Sequence, residues 1–157
     1  MFKLTRMATI GLLLASTLAV AQTPYTDDAT YQGLGGKEGI HKIVDSFLTI
    51  VLADPRIKDN FADFDIAQLK VRLAQQLCEF AGGPCKYTGQ YRDKTMDGVG
   101  TVRDMKTVHQ DLQITNAMFN ALTEDLQIAM EQHQVPSGVA LKLVARLAPM
   151  QRDIVTK

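Results

Sequence analysis

The chain carries no surplus of charge: among its 157 residues 17 Lys and Arg face 17 Asp and Glu, and the basic residues form no block. Without clustered cations there is no electrostatic case for nucleic acid or an anionic membrane as partner. Cysteine is scarce. Cys78 and Cys85 have neither a CxxC spacing nor a nearby histidine, which argues against a zinc site and gives no support to a catalytic thiol. Seven positions apart across Ala81-Gly82-Gly83-Pro84, they can close a small loop outside the cytosol, and helix direction can equally hold the sulfurs apart. No stretch alternates convincingly for a sheet, and no segment repeats. Leu34-Gly35-Gly36-Lys37 lacks the spaced glycines and the Lys-Ser or Lys-Thr ending of a phosphate loop, and no strand precedes it, so it reads as a helix-start turn.

Present instead is a secretory leader. Lys3 and Arg6 supply a positive start, Met7 to Leu18 an apolar run, and Ala19-Val20-Ala21 a small-x-small cleavage site before Gln22. The run is too short for a comfortable membrane span, so 1–21 is expected to be removed on export to the periplasm or the medium, with no stable membrane insertion afterwards. Lys3 and Arg6 leave with it, which turns the remainder, 22–157, slightly acidic and leaves it long enough for one domain with a sizeable core.

That remainder has helical period. Ile40, Ile43, Val44, Phe47, Leu48, Val51 and Leu52 form one broad face that ends at Asp54-Pro55, and a short piece follows through Ile57 and Phe61. Asp65 can cap a helix bearing Ile66, Leu69, Leu73, Leu77 and Phe80, which Gly82-Gly83-Pro84 terminates. After a turn-rich middle, a short helix is expected from about Asp104 to Leu112. Thr115 can cap a long helix with Met118, Phe119, Leu122, Leu126, Ala129 and Met130 inward. Ser137 can cap a last one with Leu141, Val144, Leu147 and Met150 inward, bent or ended by Pro149. The fold class expected is all-α, since helices with one apolar face must bury it on one another.

Two motifs bear on metals. Residues 93–104 carry Asp93, Asp97, Gly98 and Asp104 at the first, fifth, sixth and twelfth places of an EF-hand loop. Thr95 at the third place, Gly100 at the eighth and Asp rather than Glu at the twelfth count against calcium, leaving a polar loop as the better reading. Of the histidines, His41 and His133 lie at helix ends without a ligand partner at metal spacing. His109 shares the apolar stripe of Met105 and Leu112. Periodicity alone favours a core histidine bonded to a carbonyl. A lone imidazole can also be the axial ligand of haem iron, and Leu48, Phe61, Leu69, Leu73, Leu77, Met105, Leu112, Phe119 and Leu122 can surround a flat hydrophobic guest.

From about Tyr31 to Arg152 the chain resembles a group I truncated haemoglobin. The resemblance rests on Tyr31-Gln32-Gly33-Leu34-Gly35-Gly36, Ile43-Val44-Asp45-Ser46-Phe47, Val51-Leu52-Ala53-Asp54-Pro55-Arg56-Ile57, Gly82-Gly83-Pro84, Tyr87-Thr88-Gly89, Met105-Lys106-Thr107-Val108-His109 and Ile114-Thr115, in the family's order. It implies a two-over-two helical sandwich around haem b, with His109 as iron ligand and Phe61 and Phe119 against the haem. It also implies Leu48, Leu69 and Leu73 on the distal side and Arg72 near a propionate, with Leu77, Tyr87 and Met105 completing the pocket.

Two departures qualify the resemblance. Many members have a tyrosine at the place of Leu48 and often a glutamine at that of Leu73, which donate to the bound gas; leucines cannot. Losing such a bond is worth about 1.5 to 3 kcal/mol, so weak preference for oxygen over carbon monoxide or nitric oxide is expected, together with easy oxidation of the iron. The chain also has extra residues near 90–102, an insert that can cover the haem edge, contact a redox partner or supply a further side chain to the site, and its sequence does not choose among these. Two functions follow: a gas-binding haem protein, with nitric oxide turnover or electron exchange only if an external reductant serves it, or a non-haem helical periplasmic binding or structural protein in which His109 is core. Haem delivery is a third, requiring weakly held haem.

Overall fold

The computed structural model describes residues 28–92 and 102–157. The expected leader at 1–21 and most of the 90–102 insert, with all of the calcium-like pattern but its last three residues, lie outside the described residues. The elements are α1 (Ala29–Gly33), α2 (Gly36–Val51), a 3₁₀ turn (Lys58–Phe61), α3 (Ile66–Phe80), β1 (Tyr91–Arg92), β2 (Val102–Arg103), α4 (Met105–His109), α5 (Asn116–Gln132), α6 (Ser137–Leu147), a second 3₁₀ turn (Ala148–Met150) and α7 (Gln151–Ile154). The all-α expectation holds. α2 packs on both α3 and α5, and α6 closes the other side against α3 and α5, so two helix pairs stack as a globin-like sandwich.

The core follows the periodicity. Ile40, Ile43, Val44, Phe47, Leu48 and Val51 of α2 are buried and meet Ala121, Leu126, Ala129 and Met130 of α5 and Ala74 and Leu77 of α3. The caps also form as expected: the Asp65 side chain accepts from Gln68 N–H at 3.1 Å and that of Thr115 from Met118 N–H at 3.2 Å. α3 stops where Gly82 turns to φ +84°, with Gly82 N–H donating to Glu79 O at 2.9 Å and Gly83 N–H to Cys78 O at 2.8 Å. A Cβ on Gly83 would lie 2.5 Å from the Tyr31 ring and 2.8 Å from Cys78 Sγ, so the chain can turn there only as glycine. The turn brings Cys85 back to Cys78, and the two form a disulfide, S–S 2.03 Å.

Elsewhere the sequence reading needs correction. α1 forms without any periodicity announcing it. β1 and β2 pair antiparallel at the base of the insert, a ladder too short to alternate visibly. α4 ends at His109 rather than near Leu112, with Gln113 at φ 53° turning the chain. Ser137 is the first residue of α6 and makes no cap bond. Leu141 is 62 % exposed, whereas Leu143 is fully buried, because α6 must face α1, α3 and α5 together and that rotates its inner stripe.

Candidate functional site

A cavity separates α3 from α4 and α5. All ten residues singled out from the sequence border it: Leu48, Phe61, Leu69, Arg72, Leu73, Leu77, Tyr87, Met105, His109 and Phe119. Each element contributes by its period. α2 presents Leu48 and Val51, α3 presents Leu69, Leu73 and Leu77, and α5 presents Met118, Phe119, Leu122 and Leu126. The 3₁₀ turn, which aims Phe61, is anchored by Arg56. Its guanidinium reaches Asp54 Oδ2 at 2.8 Å and Glu124 Oε2 of α5 at 2.6 Å, and lies 3.7 Å from the buried Asp125. Arg56 also holds the Asp54 carboxyl below its ordinary value, chiefly by hydrogen bonding.

His109 is half-buried, on the short helix α4. Its Nδ1 lies 2.6 Å from Met105 O one turn back. A carbonyl only accepts, so Nδ1 carries the proton, and in the neutral ring Nε2 keeps its lone pair. No second hydrogen bond engages the ring among the described residues. Two contacts hold α4 itself, and two more hold the residues that follow it. The Asp104 side chain accepts from Thr107 N–H at 2.8 Å, and Tyr87 Oη donates to Met105 Sδ at 3.0 Å. Asn60 Nδ2 donates to Leu112 O at 3.3 Å, and Ile114 N–H donates to Thr156 Oγ1 at 3.1 Å.

Arg72 and Tyr87 give the cavity a polar side. Burial raises the Tyr87 phenol above its ordinary value, and the Arg72 guanidinium partly opposes that rise. Among the described residues no group of three or more His, Cys, Asp or Glu converges to cage a metal ion. The arrangement can therefore offer one nitrogen lone pair to a metal that arrives inside an apolar guest. The described residues include no helix long and apolar enough to cross a membrane.

Sequence reasoning missed part of the lining. Gln76 is buried and borders the cavity one turn beyond Leu73, and Met150 and Ile154 reach it from the C-terminal segment. Gln76 stands at a cavity-facing interval from Leu69, but a polar residue beside Gln75 reads as solvent-facing. The side of the cavity formed by α2 and α3 thus carries an amide among its leucines and is not purely aliphatic.

Comparisons with known proteins agree with this architecture. The chain is 29% identical over 126 residues to a Group 1 truncated hemoglobin of Mycolicibacterium paratuberculosis, covering 80% of this chain and 83% of that protein. Its fold matches the truncated hemoglobin of Tetrahymena pyriformis in its Fe(III) form with TM-score 0.70 at 24% identity, over 82% of this chain and 98% of that one. It also matches the 2/2 hemoglobin of Synechococcus, solved in the cyanomet state with covalently attached heme, with TM-score 0.68 at 24% identity over the same shares. The bacterial-like globin model spans residues 29–156, nearly all of the helical region, and the chain belongs to that family.

Proposed function

We propose that the protein binds haem b and, at its iron, diatomic gases such as oxygen, nitric oxide and carbon monoxide, with His109 as the protein ligand. The observation that carries this is the state of the His109 ring: Nδ1 is fixed on Met105 O at 2.6 Å, and Nε2 is left with its lone pair in the wall of an apolar cavity. A core histidine buried for packing alone would be expected to satisfy both ring nitrogens.

The residues present fit haem. The leucines of α2 and α3 and the rings of Phe61 and Phe119 suit a flat apolar macrocycle, and Arg72 beside Tyr87 suits a propionate carboxylate. Haem, when bound, supplies the iron that takes the gas. The chain's own part is to hold one imidazole in a single orientation, keep water out and set the polarity of the space. Relatives named as truncated hemoglobins support this function. A nitric oxide or redox role would need an external electron donor.

The mature protein is assigned to the periplasm or the medium. The 1–21 leader pattern and the Cys78–Cys85 disulfide both suit an oxidising compartment. Sequencing the N-terminus of protein from that fraction should give Gln22 first; a cytosolic chain that retains 1–21 would refute export.

Titrating the purified protein with haem tests the main assignment. A stoichiometric Soret band is expected, altered in position or lost in His109→Ala. No band with excess haem, or an unchanged one in the variant, would return His109 to the core.

A further inference from the structure

The cavity-facing stripe of α3 does not remain aliphatic. Leu69, Leu73, Gln76 and Leu77 recur at i, i+4, i+7 and i+8 and all four border the cavity. Gln76 is 7 % exposed, and a carboxamide so deeply buried is costly unless its polar atoms find partners. Its hydrogen bond among the described residues runs from Nε2 to Met150 Sδ at 3.2 Å. A thioether sulfur is a weak acceptor, and the amide has a second N–H and a carbonyl beyond that bond. α4 lines the same cavity with His109, so the amide and the imidazole border one space.

We propose that Gln76 is the hydrogen-bond donor of this pocket, supplying the gas held at a His109-ligated haem with the polar contact that Leu48, Leu69 and Leu73 cannot give. Met150 competes for the same amide. This rests on the haem reading above and reverses one expectation drawn from the leucines: a gas that gathers negative charge, as oxygen does, is favoured over carbon monoxide. Because the sulfur is a poor acceptor, the amide loses little by turning from Met150 to the gas.

The test compares haem-loaded wild type, Gln76→Leu and Met150→Leu by two readouts: the oxygen dissociation rate and the stretching frequency of bound carbon monoxide. In Gln76→Leu, oxygen should leave roughly tenfold faster, and the carbon monoxide stretch should rise as the donor is lost. Gln76→Met, which keeps the side chain's length, should behave the same way if the leucine variant folds poorly. Met150→Leu frees the amide and should move both readouts in the opposite direction. If Gln76 only braces α3 against the C-terminal segment, both variants break the same bracket and shift together, which overturns the proposal. Unchanged readouts in a Gln76 variant that holds haem overturn it too, and leave the haem reading intact. Wild-type protein that takes up no haem overturns both.

Discussion

Of two helices that border the cavity, α3 runs for 15 residues and α4 for five. α3 is secured at both ends mostly by residues close to it in sequence. Asp65 caps the start, Gly82 and Gly83 close the last turn, Cys78 is tied to Cys85, and Arg146 Nη1 of α6 donates to Phe80 O at 2.9 Å. α4 is far shorter than a helix that stands alone in water. Apart from the Asp104 cap, its place is set by Tyr87, Asn60 and the tail from α7 to Thr156. α3 is thus held mostly by residues near it in sequence, whereas α4, which carries the candidate iron ligand, depends on residues far from it. Damage remote from His109 should loosen it, and damage to α3 should change the pocket's form without releasing the ligand.

The largest separation should come from the tail. Ile154 is 8 % exposed on α7, which packs on α4. Ile154→Ala should cost about 2 to 4 kcal/mol in denaturant unfolding, and haem transfer to apomyoglobin should accelerate with it. Second comes Cys85→Ser. Opening so short a loop, with a sequence separation of 7, should cost about 2 kcal/mol, and the variant's unfolding midpoint should no longer respond to reductant. Haem loss should change less than in Ile154→Ala.

The smallest effect is a response to acid. Hydrogen bonds from Thr107, chiefly its backbone N–H, hold the Asp104 carboxyl below its ordinary value of 3.8. A depressed folded value means that this cap stabilises the fold above that ordinary value and is lost as pH falls through the lower one. Hydrogen exchange at the Val108 amide, which bonds Asp104 O at 2.9 Å, should therefore quicken below about pH 3.8. Asp104→Ala should show faster exchange at neutral pH, and Asp65→Ala should leave the middle of α3 protected.

The same contrast explains what could be read from the sequence. α2, α3 and α5 are long, and their faces are set by strong apolar periods, so their existence, caps and inner residues were visible. α6 was found with its stripe misplaced: Leu141 and Leu143 are chemically equivalent, and only the neighbours decide which is buried. Pattern reading assigns Gln76 to solvent because it is polar, although its interval from Leu69 and Leu73 sets it inside. The supports of α4 were invisible for another reason. Tyr87 to Met105, Asn60 to Leu112 and Thr156 to Ile114 join residues far apart in the chain, and no local period announces a tertiary contact. His109 was singled out because its helical interval set it among apolar neighbours. The resemblance to truncated haemoglobins then supplied a role that periodicity could not.

In the proposed function, His109 Nε2 takes the haem iron. The direct measurement is the ferrous absorption spectrum of haem-loaded His109→Gly, recorded before and after adding free imidazole. We expect the glycine variant to lose the wild-type spectrum and imidazole, seated in the space left by the side chain, to restore it. A glycine variant that keeps the wild-type spectrum and ignores imidazole would show that the iron is held elsewhere.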